Sequence, residues 1–106
     1  MKRALAFLVL CLALVSCSRE PRNFDSTEWK AANARGRGSM TNDLIERQLL
    51  KGKSTSEVRQ LLGEPDQEYE NSYHYDVNSL DRCYFWECRL EVNFDDKGVT
   101  FVGVSD

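Results

Sequence analysis

Histidine occurs once and proline twice in these 106 residues, and no apolar run reaches the roughly 20 residues that span a bilayer as a helix. One histidine excludes zinc sites built on several imidazoles, and the four cysteines show no C-x-x-C pairing that could replace them. No G-x-S-x-G elbow presents a nucleophilic serine. Gly36 and Gly38 are not followed by Gly-Lys-Ser/Thr at the spacing of a phosphate loop. Asp95-Asp96 supplies too few oxygens for calcium, and Glu64-Pro65-Asp66 reads as a solvated turn behind a helix stop. No catalytic residue, metal ligand or cofactor is therefore assigned. Nucleic acid is also an unsuitable partner: without Lys2 and Arg3 the 14 basic residues become 12, against 17 acidic ones, a net charge of −5.

The first stretch does carry a signal. Lys2 and Arg3 precede the uncharged run Ala4 to Leu14, the shape of a secretory leader rather than of a membrane span. Leu14-Val15-Ser16-Cys17 closes it, and Ser18-Arg19-Glu20-Pro21 is polar. This end resembles the bacterial lipobox, which implies that residues 1–16 are removed and that Cys17 carries lipid; an ordinary leader with a chance cysteine is the alternative. Two or three acyl chains hold a small domain to a membrane durably. Ser18 in place of Asp implies the outer membrane, with the protein facing the periplasm.

Residues 18–38 read as a flexible tether, with a short helix possible behind Asp25-Ser26-Thr27-Glu28 and ending at Gly36. The folded unit is expected over 39–106, where 14 acidic residues face 7 basic ones. Leu44, Ile45, Gln48 and Leu49 have helical spacing and stop at Lys51-Gly52. Ser54-Thr55-Ser56-Glu57 is a capping box for a second helix, with Val58, Leu61 and Leu62 on one face and Gly63 and Pro65 ending it. The period then changes to two. Tyr69, Tyr73, Tyr75 and Val77 alternate with polar residues as one strand, residues 84–94 form a second, and Asp95-Asp96-Lys97-Gly98 turns into a third over 99–104. The expected fold is α+β, two N-terminal helices packed on a three-stranded antiparallel β-meander.

With Cys11 in the leader and Cys17 lipidated, Cys83 and Cys88 remain as a candidate disulfide in an oxidising compartment. A regular strand would point them to opposite faces, so bonding needs a turn or bulge between them, and free thiols are the alternative. Between them Tyr84, Phe85 and Trp86 cannot all face one side. Either they display aromatic groups to a partner, or Tyr84 and Trp86 complete the core and Phe85 is covered. His74, between Tyr73 and Tyr75, reads as a structural or solvent-facing residue.

The run Leu50 to Asp66, with Gly52, the capped Ser54 to Ser56, Val58 and Leu62-Gly63-Glu64-Pro65, followed by tyrosine-rich residues and Phe94-Asp95-Asp96-Lys97-Gly98, resembles the SmpA/OmlA (BamE-like) lipoproteins. The resemblance covers most of residues 40–104. It implies two helices on a three-stranded sheet and a non-enzymatic, lipid-anchored envelope protein that binds a protein partner, in the machinery that assembles outer-membrane β-barrels or in envelope integrity. β-Lactamase inhibitors share that fold, so an anchored enzyme inhibitor using the 83–88 loop is the alternative, and a surface lipoprotein without a defined partner a third.

Overall fold

A computed structural model describes residues 21–78 and 88–105; the leader, Cys17, Cys83 and the Tyr84-Phe85-Trp86 cluster lie outside the described residues. Three helices come first: α1 (Ser26–Ala31), α2 (Ala34–Glu46) and α3 (Thr55–Leu62). Four strands follow, β1 (Gln67–Tyr69), β2 (Ser72–Val77), β3 (Cys88–Asp95) and β4 (Gly98–Ser105), in an open antiparallel sheet of order β1-β2-β3-β4. The expected arrangement of two helices on three strands is thus corrected. The additional helix lies within the stretch read as a tether, and the additional strand arises because residues 67–77 are two strands joined by a turn at Glu70 and Asn71.

α1 is capped by Asp25, whose side chain accepts the Glu28 N–H. Six residues are too short for a helix to persist in isolation. Burial of Trp29, 0% exposed, supplies what propensity does not. Its ring meets Phe24 at 5.8 Å and Tyr75 at 6.4 Å, and the Arg37 guanidinium lies 5.4 Å from its centroid. Arg37 Nε also donates to the Trp29 carbonyl at 3.0 Å. α1 in turn finishes α3: Ser26 Oγ donates to the Leu61 carbonyl and Lys30 Nζ to that of Gln60, occupying acceptors that a helix C-terminus leaves open.

α2 starts at an Asn33 cap and runs through the Arg-Gly stretch. Gly36 and Gly38 are poor helix formers, and at Gly38 space requires the glycine, since a Cβ there would lie 1.7 Å from the Asn78 carbonyl oxygen. This close approach lets the Asn78 N–H donate to the Ala34 carbonyl at 2.9 Å, tying α2 to the end of β2. The helix ends earlier than Lys51-Gly52. Gln48 adopts φ 53°, its N–H donates to Ile45 and that of Leu49 donates to Leu44, the paired bonds of a Schellman stop. Leu50 then enters the core from the following turn. α3 has the capping box expected of Ser54 and Glu57 and ends at Gly63, φ 80°.

Tyr75 and Val77 of β2 and Leu90 and Val92 of β3 pack with Trp29, Met40, Leu44, Leu50, Val58 and Leu62 to form the core. Tyr73 and Phe94 meet edge to face at its border, 4.8 Å apart. Arg59 lies 4.8 Å from the Tyr73 centroid and pairs with Glu64 and Glu68, so α3 grips the β1–β2 hairpin from the helical side. The Tyr75 hydroxyl donates to the Gly63 carbonyl, and burial pushes its phenol up from the ordinary tyrosine range.

No bridge between Cys83 and Cys88 is found among the described residues, so that expected pairing is not assigned: Cys83 lies outside them, and Cys88, the one cysteine they contain, is disulfide-bonded. The Cys88 side chain is buried at the start of β3. Among the described residues no helix is long and apolar enough to cross a membrane.

Candidate functional site

The helices cover one side of the sheet, and pairing register fixes what the other side presents. Tyr69, Ser72, Asn93 and Phe101 are successive partners across β1, β2, β3 and β4, and the next row is Gln67, His74, Glu91 and Gly103. Directly paired residues point to the same face, and Tyr73, Tyr75, Leu90 and Val92 face the core. Both rows therefore lie on the outer face. Among the described residues Tyr69 and Phe101 are the two exposed large hydrophobic side chains, each 51% exposed. They stand at opposite ends of one row, three strand spacings or about 14 Å apart.

Each ring leans toward the second row. Tyr69 meets the His74 ring at 4.8 Å, and Phe101 covers Gly103 so closely that a Cβ there would lie 2.6 Å from its ring. Between these two aromatic walls His74 Nε2 lies 3.6 Å from Glu91 Oε1. The His74 side chain is 14% exposed, with Nδ1 buried and without a hydrogen-bond partner among the described residues. His74 thus takes the face opposite Tyr73 and Tyr75, as alternation along β2 predicts.

Ser72, His74 and Glu91 have the composition of a nucleophile, a base and an orienting carboxylate. Their geometry does not assemble that chemistry. Among the described residues Ser72 Oγ is buried with no hydrogen-bond partner, so it makes no hydrogen bond to the imidazole. Among the described residues no group of three or more His, Cys, Asp or Glu side chains could hold a metal ion. What this face offers is a contact surface: two exposed rings, a small polar floor of Ser72 and Asn93, and a half-covered His-Glu pair between them.

Of the residues singled out in the sequence, Cys17, Cys83, Tyr84, Phe85 and Trp86 lie outside the described residues, while Cys88 is buried. The Tyr69–Phe101 row was not visible in the pattern of alternation. Tyr69 shares the period of Tyr73 and Tyr75, and only the turn at Glu70 and Asn71 carries it to the other face. Phe101 shares the period of Val99, but the register shifts there: Phe94 pairs Val99 while Asn93 pairs Phe101, leaving Thr100 as the extra residue of a bulge. The threonine between two apolar residues just after a tight turn was the available signal.

Set beside protein-family models, curated proteins and solved structures, the chain matches none.

Proposed function

We propose that the chain is a non-enzymatic, lipid-anchored protein of the bacterial cell envelope that binds a protein partner, at or beside the machinery assembling outer-membrane β-barrels. The observation that carries the binding role is the pair of half-exposed rings, Tyr69 and Phe101, at the two ends of one row on the sheet face away from the helices. Exposed aromatics over a small polar floor are what protein interfaces favour, since a rigid ring buries much area at little conformational cost. The anchor rests on Leu14-Val15-Ser16-Cys17 behind a basic, apolar leader. The assembly role rests on the resemblance of residues 40–104 to SmpA/OmlA lipoproteins, from which this fold departs by α1 and by the separate β1 strand.

Two measurements test the reading. Intact-mass analysis of the chain from envelope is expected to show acylation at Cys17 that is abolished in Cys17→Ser; an unmodified thiol at Cys17 overturns the anchor. Affinity purification from detergent-solubilised envelope is expected to recover barrel-assembly components, with recovery at least tenfold lower for the double variant Tyr69→Ala/Phe101→Ala. Recovery of a soluble hydrolase instead would replace the assembly role with that of an inhibitor. Undiminished recovery with the double variant would remove the outer face from the interface.

A further inference from the structure

The two edges of the sheet are protected very differently. β1 is three residues long, follows Pro65, and is bordered by Glu64, Asp66 and Glu70, so it offers little to pair with. β4 is eight residues long, Gly98-Val99-Thr100-Phe101-Val102-Gly103-Val104-Ser105, and contains no charge and no proline. Loop residues 52 and 53 close its beginning: the Val99 N–H donates to the Lys53 carbonyl, and a Cβ on Gly98 would lie 2.8 Å from the same oxygen. From Thr100 to Ser105, about 20 Å of backbone, no hydrogen bond to another segment is made on the side away from β3 among the described residues. Proteins ordinarily blunt such an edge with lysine, proline or a covering loop.

We infer that β4 is a strand-addition site, taking an extended, alternately apolar segment of a partner protein as a fifth strand. This rests on the protein-binding reading above and names the form its partner takes. Antiparallel addition continues the pattern of the whole sheet. The added strand lies beside half-buried Val102 and Val104 on the helix side, which calls for small apolar residues there. On the outer face its middle residue stands opposite Gly103, which the Phe101 ring covers, so a large apolar side chain there packs against the exposed edge of that ring. A second copy of this chain fits less well. Pairing of six residues falls short of the roughly 1,200 Å² that a stable interface buries. Two bodies with 16 acidic against 11 basic residues over 21–106 also repel, whereas a segment with basic flanks is attracted.

The probe is the acetylated peptide Lys-Val-Thr-Val-Phe-Val-Thr-Lys-amide, titrated into the full chain in detergent micelles and followed by amide NMR shifts. Two further peptides carry N-methyl groups on alternate amides, in opposite phases. Every second amide of an added strand faces β4, so one methylated form is expected to bind at least tenfold more weakly and the other like the parent, with shifts confined to residues 100–105. Equal binding of both methylated peptides, or shifts centred on Tyr69 and His74, would mean side-chain docking and overturn strand addition. No binding up to about 1 mM overturns it too. So does a Gly103→Cys dimer forming across β4 without peptide, since a second copy is then the occupant. Partner recovery that depends on Tyr69 while the peptide leaves β4 unmoved would keep the protein-binding role and discard this site.

Discussion

Gly38 is where a single methyl group has the largest consequence. Its would-be Cβ meets a backbone carbonyl, that of Asn78, which cannot rotate aside as a side chain can. Gly38→Ala is expected to cost about 3 kcal/mol, read as a lower denaturant midpoint at unchanged slope, through forced separation of α2 from β2. The opposite sign is expected at Gln48, the described non-glycine residue with positive φ. Gln48→Gly relieves a left-handed cost of about 1–2 kcal/mol and adds about half of that in unfolded-chain entropy, so equilibrium unfolding should show a net gain of about 0.5–1 kcal/mol. Neither role was legible in the sequence. Arg35-Gly36-Arg37-Gly38 has the composition of a spacer, and only the long-range contact with Asn78 explains why glycine stands inside a helix. Ser54 and Glu57, by contrast, were legible because both partners of the capping box lie within four residues of chain.

Elements whose signals are local are legible in the sequence: α3 between its cap and Gly63, and the β3–β4 hairpin at Asp95 to Gly98. α1 illustrates the reverse case. Its start was legible at Asp25, but its persistence depends on Trp29 reaching Tyr75 on β2, a contact between residues distant in the chain. The segment before α1 is held in the same manner, since Asp43 on α2 accepts the Phe24 N–H at 2.6 Å while pairing with Arg47 one turn on. The hydrogen bond from Arg47, and then that from Phe24, hold the Asp43 carboxyl below the usual carboxylate range. A depressed folded value makes this stabilisation complete above the unfolded pKa and progressively lost as pH falls through the folded value. Stability should therefore decline from about pH 4 downward. Asp43→Asn is expected to lower the melting temperature at pH 7 and to flatten its decline in acid, measured by circular dichroism from pH 7 to 2.

At the scale of the molecule, α1 and the first half of α2 belong to the folded body. A chain beginning at residue 39 lacks Trp29 from the centre of the core and removes Lys30 and Ser26 from the end of α3. Such a chain is expected to lose its cooperative thermal transition and the dispersed methyl resonances of Val58, Leu62 and Leu90, whereas one beginning at residue 21 keeps both. Docking of α1 also bears on any anchor at Cys17. Had residues 18–38 been a free tether, the body could have ranged about 70 Å from the bilayer. Arg22 instead belongs to the body, its N–H donating to the Ser39 carbonyl at 2.8 Å, and five peptide steps, at most about 18 Å, separate it from Cys17. A lipid at that position would moor the body on a short leash, riding against the headgroups with its search confined to neighbours in the same leaflet.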